Sequence, residues 1–262
     1  MEDLAESQTD KRLLFVWDEL PLMLDNIRRN HGEKIAMELL DTLRALRHRL
    51  PTLRMIFTGS IGLHHVITAL RKSGYANRPT NDMFHQELEP LAQADAITLA
   101  SRLLQGESIK PDSIELTTEA IVFNAGRVPF YIHHLVDELV RSKAAPSPDE
   151  ITAIAERKIR DPQDPWDLEY FIDRVATYYA AEDAPIAFAV LDTLAAEHPG
   201  VKMADLYETI KARLPLNDPE PLRKMLTLLQ RDHYIALDDS GHYTFRLRVV
   251  RRAWAIRREV LQ

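Results

Sequence analysis

The residues of this sequence best suited to chemistry are two adjacent carboxylates, Asp18 and Glu19, which end a short apolar run. Such a pair suits nucleotide hydrolysis, in which one carboxylate holds Mg²⁺, usually through water, and its neighbour takes a proton from the attacking water molecule. A structural interpretation fits this stretch equally well, because Asp18 and Glu19 would also cap a helix that has Pro21 in its first turn. The seven residues Leu13–Glu19 leave both interpretations open.

The apolar run before the two carboxylates predicts a β-strand. Leu13–Trp17 holds five apolar residues without alternation, a pattern typical of a strand that is buried on both faces of a parallel sheet. Ligands of doubly wound sheets bind beyond the carboxyl ends of such strands. Asp18 and Glu19 therefore lie where a ligand is expected.

A second strand is predicted to end at the same edge of the sheet. Apolar residues at three- and four-residue spacing between Ile35 and Leu50 predict an amphipathic helix, and Leu53–Phe57 predicts the strand that follows it. A strand–helix–strand unit of this length is a crossover, which makes its two strands parallel. We therefore expect Thr58 or Ser60, which follow the second strand, to lie close to the two carboxylates.

Composition excludes several classes of protein and of site. Apolar residues make up 45% and charged residues 28% of the 262, which is typical of a globular protein. The chain has no cysteine, which excludes disulfides, thiolate zinc sites and cysteine nucleophiles. Residues 1–6 are acidic and do not resemble a signal peptide, and no apolar stretch is long enough to span a membrane. These features predict a cytoplasmic protein without a membrane partner.

Charge and pattern change along the chain and predict three domains. Helical patterns replace strands after about residue 108, and the chain ends with three predicted helices and a hairpin of His233–Leu237 and His242–Arg246, the elements of a winged helix. The net charge is −7, yet residues 201–262 carry 12 basic and 8 acidic residues. We predict three domains: an α/β core with a parallel sheet at residues 1–108, an all-α region at 109–180 and a C-terminal winged helix at 181–262.

In this order, the motifs resemble those of the prokaryotic STAND branch of the AAA+-related P-loop ATPases, of the archaeal-ATPase type. Leu13–Glu19 resembles the Walker B strand, and Leu53–Ser60 resembles the sensor 1 strand. Leu88–Leu91 is similar to the entry into the helical lid of that family, and Gly126–Tyr131 to the lid motif whose proline approaches the nucleotide. The resemblance covers roughly residues 11–262 and implies a partial P-loop ATPase core, a helical lid and a winged helix.

The resemblance also implies ATP and Mg²⁺ as cofactors and gives roles to residues at the strand ends. Asp18 would order the metal ion, and Glu19 would be the general base for the attacking water. The hydroxyl group of Thr58 or Ser60 would sense the γ-phosphate. The expected activity is that of a nucleotide-switch ATPase.

Further roles implied by the resemblance fall on the lid and on an arginine. Gly126 and Pro129 would let the lid close over the base of the nucleotide. Arg71 and Arg78 are candidates for an arginine finger, and the sequence does not decide between them.

One departure from the family pattern decides what this chain can do by itself. A P-loop requires G-x-x-x-x-G-K-[ST], and none of the 8 glycines is followed by lysine. In the family that loop precedes the Walker B strand, and residues 1–10 have no strand pattern. We therefore expect an N-terminally truncated ATPase core that does not hydrolyse ATP alone, with an exposed apolar face where further strands would pack.

Two other functions remain as alternatives. The chain would be a DNA-binding regulator if the winged helix met nucleic acid, and phosphate contacts would then come from Arg246, Arg248, Arg251 and Arg252. It would be an inactive adaptor if the lid helices served only for protein contacts. The expected partners are ATP or ADP, together with a protein partner or a second copy of the chain, and DNA under the first alternative.

Overall fold

The structure is a computed structural model and describes residues 12–59, 62–143, 146–196 and 200–260. The chain divides into two compact units between Glu87 and Leu88. This division precedes the predicted boundary at residue 108.

The first unit is built around a parallel pair of strands. Its described elements are β1 (Leu13–Trp17), α1 (Leu20–His31), α2 (Glu33–Arg49), β2 (Leu53–Phe57) and α3 (Leu63–Lys72). The two strands pair in parallel, with Leu13 opposite Leu53 and Trp17 opposite Phe57. The predicted crossover is therefore confirmed. It holds two helices because Gly32, with a φ of 93°, separates α1 from α2.

The strands are buried on one face only, so the prediction that both faces are covered is wrong for the described chain. Phe15 and Trp17 pack against apolar residues of the helices, whereas Leu14, Val16 and Ile56 are 59%, 60% and 46% exposed. Alternate residues of a strand point to opposite faces, and the described helices of this unit contribute to the core on one of them. The opposite face is an exposed apolar surface.

The second unit begins with a group of helices. These are α4 (Gln93–Gly106), α5 (Ile114–Ala125), α6 (Pro129–Ser142), α7 (Pro148–Arg160) and α8 (Tyr170–Tyr178). Helix α4 packs against α5 and α6, and α5 also packs against α7. The helices predicted after residue 108 are present, and α4 joins them.

The C-terminal part of the second unit mixes helices with a small sheet. Its elements are α9 (Ala184–Ala196), β3 (Val201–Lys202), α10 (Met203–Lys211), α11 (Glu220–Arg231), β4 (Ile235–Leu237), β5 (His242–Phe245) and α12 (Arg248–Arg257). The sheet is antiparallel in the order β3-β5-β4. Both β3 and α12 are absent from the sequence prediction. The winged helix stays a prediction.

One hydrophobic core joins the two parts of the second unit. It runs from Ala96 in α4 to Trp254 in α12, and it includes the fully buried Trp166 and Tyr234. Helix α12 packs against α7 and α9 at the same time. The helical part and the C-terminal part therefore stabilise each other. No helix in the described part of the chain has the length and apolar character needed to cross a membrane.

Candidate functional site

The carboxylate and the hydroxyl that the sequence places at neighbouring strand ends are hydrogen-bonded. Thr58 Oγ1 donates to Asp18 Oδ1 over 2.6 Å, and the backbone N–H of Glu19 donates to the same oxygen over 3.1 Å. Asp18 Oδ2 accepts no hydrogen bond from the described residues. The geometry thus fixes the orientation of the Asp18 carboxylate and leaves one of its oxygens available.

The backbone explains why Asp18 and Thr58 meet. The parallel register of β1 and β2 continues past the last strand pair, since the N–H of Thr58 donates to the carbonyl of Trp17 over 2.9 Å. The N–H of Leu20 then donates to the carbonyl of Thr58 over 3.1 Å. The start of α1 is therefore tied to the end of β2, and the site is part of the fold's own hydrogen-bond pattern.

Glu19 connects the strand to the helix in an unusual backbone conformation. Its φ of 51° and ψ of 34° place it in the left-handed region, which few residues other than glycine adopt. It is the N-cap residue of α1, yet its side chain makes no capping hydrogen bond. Only its carbonyl takes part in the helix, accepting from the N–H of Met23. Side-chain capping by Glu19, part of the structural interpretation of this pair, is not seen.

A cavity of about 390 Å³ adjoins the two carboxylates. Apart from these, its lining comes from one side of α1: Leu22, Met23, Asn26, Ile27, Asn30 and His31. Hard oxygen donors suit Mg²⁺, so the exposed Asp18 carboxylate fits that ion. The lining contains no lysine or arginine. The lining of this cavity therefore offers carboxylate oxygens to a metal ion and lacks the lysine or arginine that a triphosphate requires.

No protein-family model matches the sequence, and no curated protein matches it. Among solved structures, the Walker-type ATPase of Pyrococcus abyssi matches 96% of this chain with a TM-score of 0.66 and 16% sequence identity. The fold of the chain is therefore similar to that of this Walker-type ATPase. The chain covers 65% of the length of the Pyrococcus protein.

Of the remaining residues predicted to contact nucleotide, the structure describes Gly126 and Pro129. Ser60 is outside the described residues. Gly126 ends α5 in the left-handed conformation, with a φ of 61°, and Pro129 is the first residue of α6. Between them Arg127 is also left-handed, and its carbonyl accepts from the N–H of Leu91 over 3.0 Å. Gly126 and Pro129 thus form a tight helix–helix turn, which explains their residue types.

The four arginines predicted for DNA contact have partners within the protein. The Arg246 guanidinium forms a hydrogen bond with the His233 ring and a 2.6 Å ion pair with the Glu89 carboxylate. Arg248, Arg251 and Arg252 lie in α12 and not in the hairpin. This segment is a helix because its apolar residues form one buried face, made of Val249, Val250, Ala253 and Trp254.

Two of the arginines of α12 contact the helical part of their unit, and the third contacts α9. The guanidinium carbon of Arg248 lies 3.8 Å from the centroid of the Phe123 ring. Arg251 donates to the carbonyl of Ala195 over 3.1 Å, and Arg252 pairs with Glu156. Burial lowers the pKa of all three arginines, an effect that Arg248 reinforces at Arg251. Their contacts hold α12 in place.

A group of side-chain hydrogen bonds that no sequence pattern indicates fixes the position of the loop after α3. Arg47 donates to both carboxylate oxygens of Asp82, over 2.9 and 2.8 Å, and to the carbonyl of Pro79 over 2.7 Å. Asn77 donates to Asp41 over 2.7 Å. These contacts flank Arg78 on both sides and anchor the loop to α2. The partners are 32 to 36 residues apart, so no local pattern indicates them.

Proposed function

We propose that the chain is the Walker B-to-winged-helix portion of a STAND/AAA+-like nucleotide-switch ATPase. The single observation that carries this proposal is the pairing of Asp18 with Thr58 across two parallel strand ends. The ATPase-like fold supports it. A role in capping the helix would explain neither the hydrogen bond that orients the Asp18 carboxylate nor the left-handed backbone of Glu19.

In this function the strand ends hold the metal ion and act on water. When bound, Mg²⁺ would neutralise negative charge on the phosphates of the nucleotide. Asp18 would order that ion with its available oxygen, while the bond from Thr58 keeps its carboxylate in one orientation. Glu19 would accept the proton of the attacking water. The hydroxyl group of Ser60 would detect the γ-phosphate, or that of Thr58 would do so by moving its one donated hydrogen bond from Asp18 to the phosphate.

The phosphate-binding loop would come from outside this sequence. The sequence has no G-x-x-x-x-G-K-[ST], and the cavity beside Asp18 has no lysine or arginine in its lining. The exposed face of Leu14, Val16 and Ile56 supports the same conclusion, because doubly wound sheets carry helices on both faces. The 262 residues alone would then bind no ATP and hydrolyse none.

The second unit would be the part that responds to the nucleotide. Gly126 and Pro129 form the turn that would approach the base, and α5 and α6 on either side of it belong to the core that also contains α12. Because this core is shared, a movement of the lid would carry the C-terminal part with it. A protein partner or a second copy would read that movement.

The test is calorimetric titration of Mg·ATP into the 262-residue chain and into the product of the longest reading frame that contains it. We expect the longer protein to contain G-x-x-x-x-G-K-[ST] and to bind, and the 262 residues to show no saturable binding. In the longer protein, Glu19→Gln should keep binding and lower turnover at least about 100-fold. Asp18→Asn should weaken Mg·ATP binding.

Glu38→Gln is the matched control, since that exposed carboxylate contacts only Lys34 among the described residues. A longer reading frame without the motif, or a longer protein that binds no ATP, would overturn the proposal. The DNA-binding alternative is less well supported, because Arg246, Arg248 and Arg252 already contact groups of the protein.

A further inference from the structure

The C-terminal part of the second unit contains a cavity that the proposed ATPase function does not use. Its volume is about 530 Å³, within the range of small-molecule sites. Its walls come from α9, β3, α10, the start of β5 and the residues after α12. A ligand bound there would contact most elements of this part at once.

One wall of the cavity is a regular stripe of polar side chains. Lys202, Asp205, Thr209 and Arg213 all line it, at spacings of three, four and four residues. That spacing places them on one face of α10 and its ends, since side chains three or four apart are neighbours on a helix. From Lys202 to Arg213 the stripe extends about 16 Å at the helical rise per residue. Glu259 adds a carboxylate from the residues that follow α12.

The four charged side chains of the cavity, three from the stripe and one from Glu259, are exposed to solvent and are not neutralised by other groups of the protein. Within the described chain, no hydrogen bond, ion pair or ring contact involves the side chains of Lys202, Asp205, Arg213 or Glu259. Lys202 directly precedes α10 and Asp205 lies in its first turn, yet they form no ion pair within the described chain. The cavity thus presents two cations and two anions that are available to a ligand.

Other polar groups of the cavity are already engaged and contrast with these four. Asp192 accepts from the indole N–H of Trp254 over 2.8 Å and pairs with Arg258 over 2.8 Å. His242 lies 3.6 Å from Asp238. Gly200 lets the wall close tightly, because a Cβ there would lie 2.6 Å from the Thr244 methyl carbon. The cavity wall is therefore held by packing and by bonds within the protein, and its unpaired charges are two positive and two negative.

We infer that this cavity binds a zwitterionic small molecule of amino-acid or dipeptide size. Lys202 or Arg213 would bind its carboxylate, and Asp205 or Glu259 its ammonium group. Balanced charge favours a neutral zwitterion over a polyanion such as a nucleotide, since an anion would be repelled by the two carboxylates. Such a ligand would be the signal that biases the switch, and its binding does not depend on the nucleotide site.

The test is calorimetric titration of the 262-residue chain with four probes that are neutral zwitterions near pH 7, L-alanine, L-glutamine, Gly-Gly and Gly-Gln, without nucleotide. We expect saturable binding of at least one of these, with a Kd of about 1 mM or tighter. Blocking the probe's amine by acetylation or its carboxylate by amidation should weaken binding at least about tenfold. Asp205→Asn and Arg213→Gln should each weaken it to a similar extent.

The matched controls are Glu208→Gln and Lys211→Gln, which change charges on the same helix that do not line the cavity. They should leave the Kd unchanged. Absence of saturable binding with all four probes would overturn the inference, and so would binding that survives both Asp205→Asn and Arg213→Gln. Neither result bears on the ATPase proposal, because no nucleotide is present.

Discussion

Arg47 and Asp82 form a two-pronged ion pair, with 2.9 and 2.8 Å between their nitrogen and oxygen atoms, that closes the loop after α3 onto α2. The Arg47 side chain is only 10% exposed, and its guanidinium lies 5.6 Å from the centroid of the Phe57 ring. A buried cation bonded to a carboxylate and a carbonyl is expensive to leave unpaired. The loop therefore contributes to the stability of the first unit.

Arg47→Met should lower the free energy of unfolding by about 2–3 kcal/mol, because it leaves the carbonyl of Pro79 and the carboxylate of Asp82 without their donor. Urea denaturation measures the change. Arg44→Met is the control on the same helix, since the Arg44 side chain has no partner among the described residues. Equal effects of the two substitutions would contradict a specific role for Arg47.

The same ion pair should make stability depend on acid. The hydrogen bond from Arg47 holds the pKa of Asp82 below its usual value, with a smaller effect from His48. A carboxylate with a lowered folded-state pKa stabilises the fold above its unfolded pKa of about 3.9, and this contribution is lost as pH falls through the folded-state pKa. The stability difference between the natural chain and Asp82→Asn should therefore be largest near pH 7 and shrink below about pH 4.

The exposed apolar face of β1 and β2 can be probed directly because the chain has no cysteine. Val16→Cys should react rapidly with a maleimide, since Val16 is 60% exposed, and Leu53→Cys should be protected, since Leu53 is 2% exposed. In the longer ATPase proposed above, Val16→Cys should become protected while Leu237→Cys stays reactive. Protection of Val16→Cys in the 262 residues alone would contradict the exposed face.

The sequence predicts those parts of the molecule that depend on local periodicity and misses those that depend on distant contacts. The two parallel strands and the helices that follow them were predictable, because apolar spacing reports a buried face. The proximity of Asp18 and Thr58 was predictable from the crossover rule, since parallel strands end at one edge. The apolar run of β1 predicted the wrong coverage of the sheet, because such a run does not show how many faces are buried, whereas the missing P-loop led us to expect an exposed apolar face.

The arginines after β5 show why the rest could not be predicted. Arg246–Arg252 read as a basic extension of a hairpin, but the burial of Val250 and Trp254 converts this run into α12. The partners of its cations, Phe123 and Glu156, are about 100 residues away and share no pattern with it. Charge in the sequence shows where cations are and leaves open what they contact.

Three buried tyrosines should make the second unit sensitive to alkali. Burial raises the pKa of Tyr131, Tyr179 and Tyr234, and the nearby carboxylate of Asp232 adds to this at Tyr179, whose hydroxyl donates to it over 2.6 Å. A tyrosine with a raised folded-state pKa contributes stability that is present below the unfolded pKa of about 10 and lost as pH rises further. Each should remove about 1.4 kcal/mol per pH unit above that value.

Urea denaturation at several alkaline pH values, with tyrosinate absorbance as a second readout, checks this dependence. Tyr179→Phe should reduce the slope above about pH 10 by about one third. It should also cost about 1–3 kcal/mol near pH 7, because the buried Asp232 carboxylate loses a donor. Tyr243→Phe is the control, since that half-buried hydroxyl has no hydrogen bond in the described chain. An unchanged slope for Tyr179→Phe would contradict the assignment.

Gly126 and Gly106 form a matched pair that tests whether the turn between α5 and α6 depends on its backbone conformation. Gly126 has a φ of 61°, and a Cβ there would meet only a Leu247 methyl group at 4.0 Å. Gly106 ends α4 without a positive φ, and a Cβ there would meet nothing within 4 Å. Gly126→Ala should therefore destabilise the second unit by about 1 kcal/mol through backbone strain alone. Gly106→Ala should stabilise it by about 0.5–1 kcal/mol, because alanine loses less conformational freedom on folding.

Thermal unfolding of the two variants separates these effects, since both substitutions add the same methyl group. Gly126→Asn should recover part of the loss, because asparagine tolerates the left-handed conformation better than alanine. If Gly126→Ala were as stable as the natural chain, the turn would tolerate an ordinary residue. The proposed closing of the lid would then need another explanation for a glycine between α5 and α6.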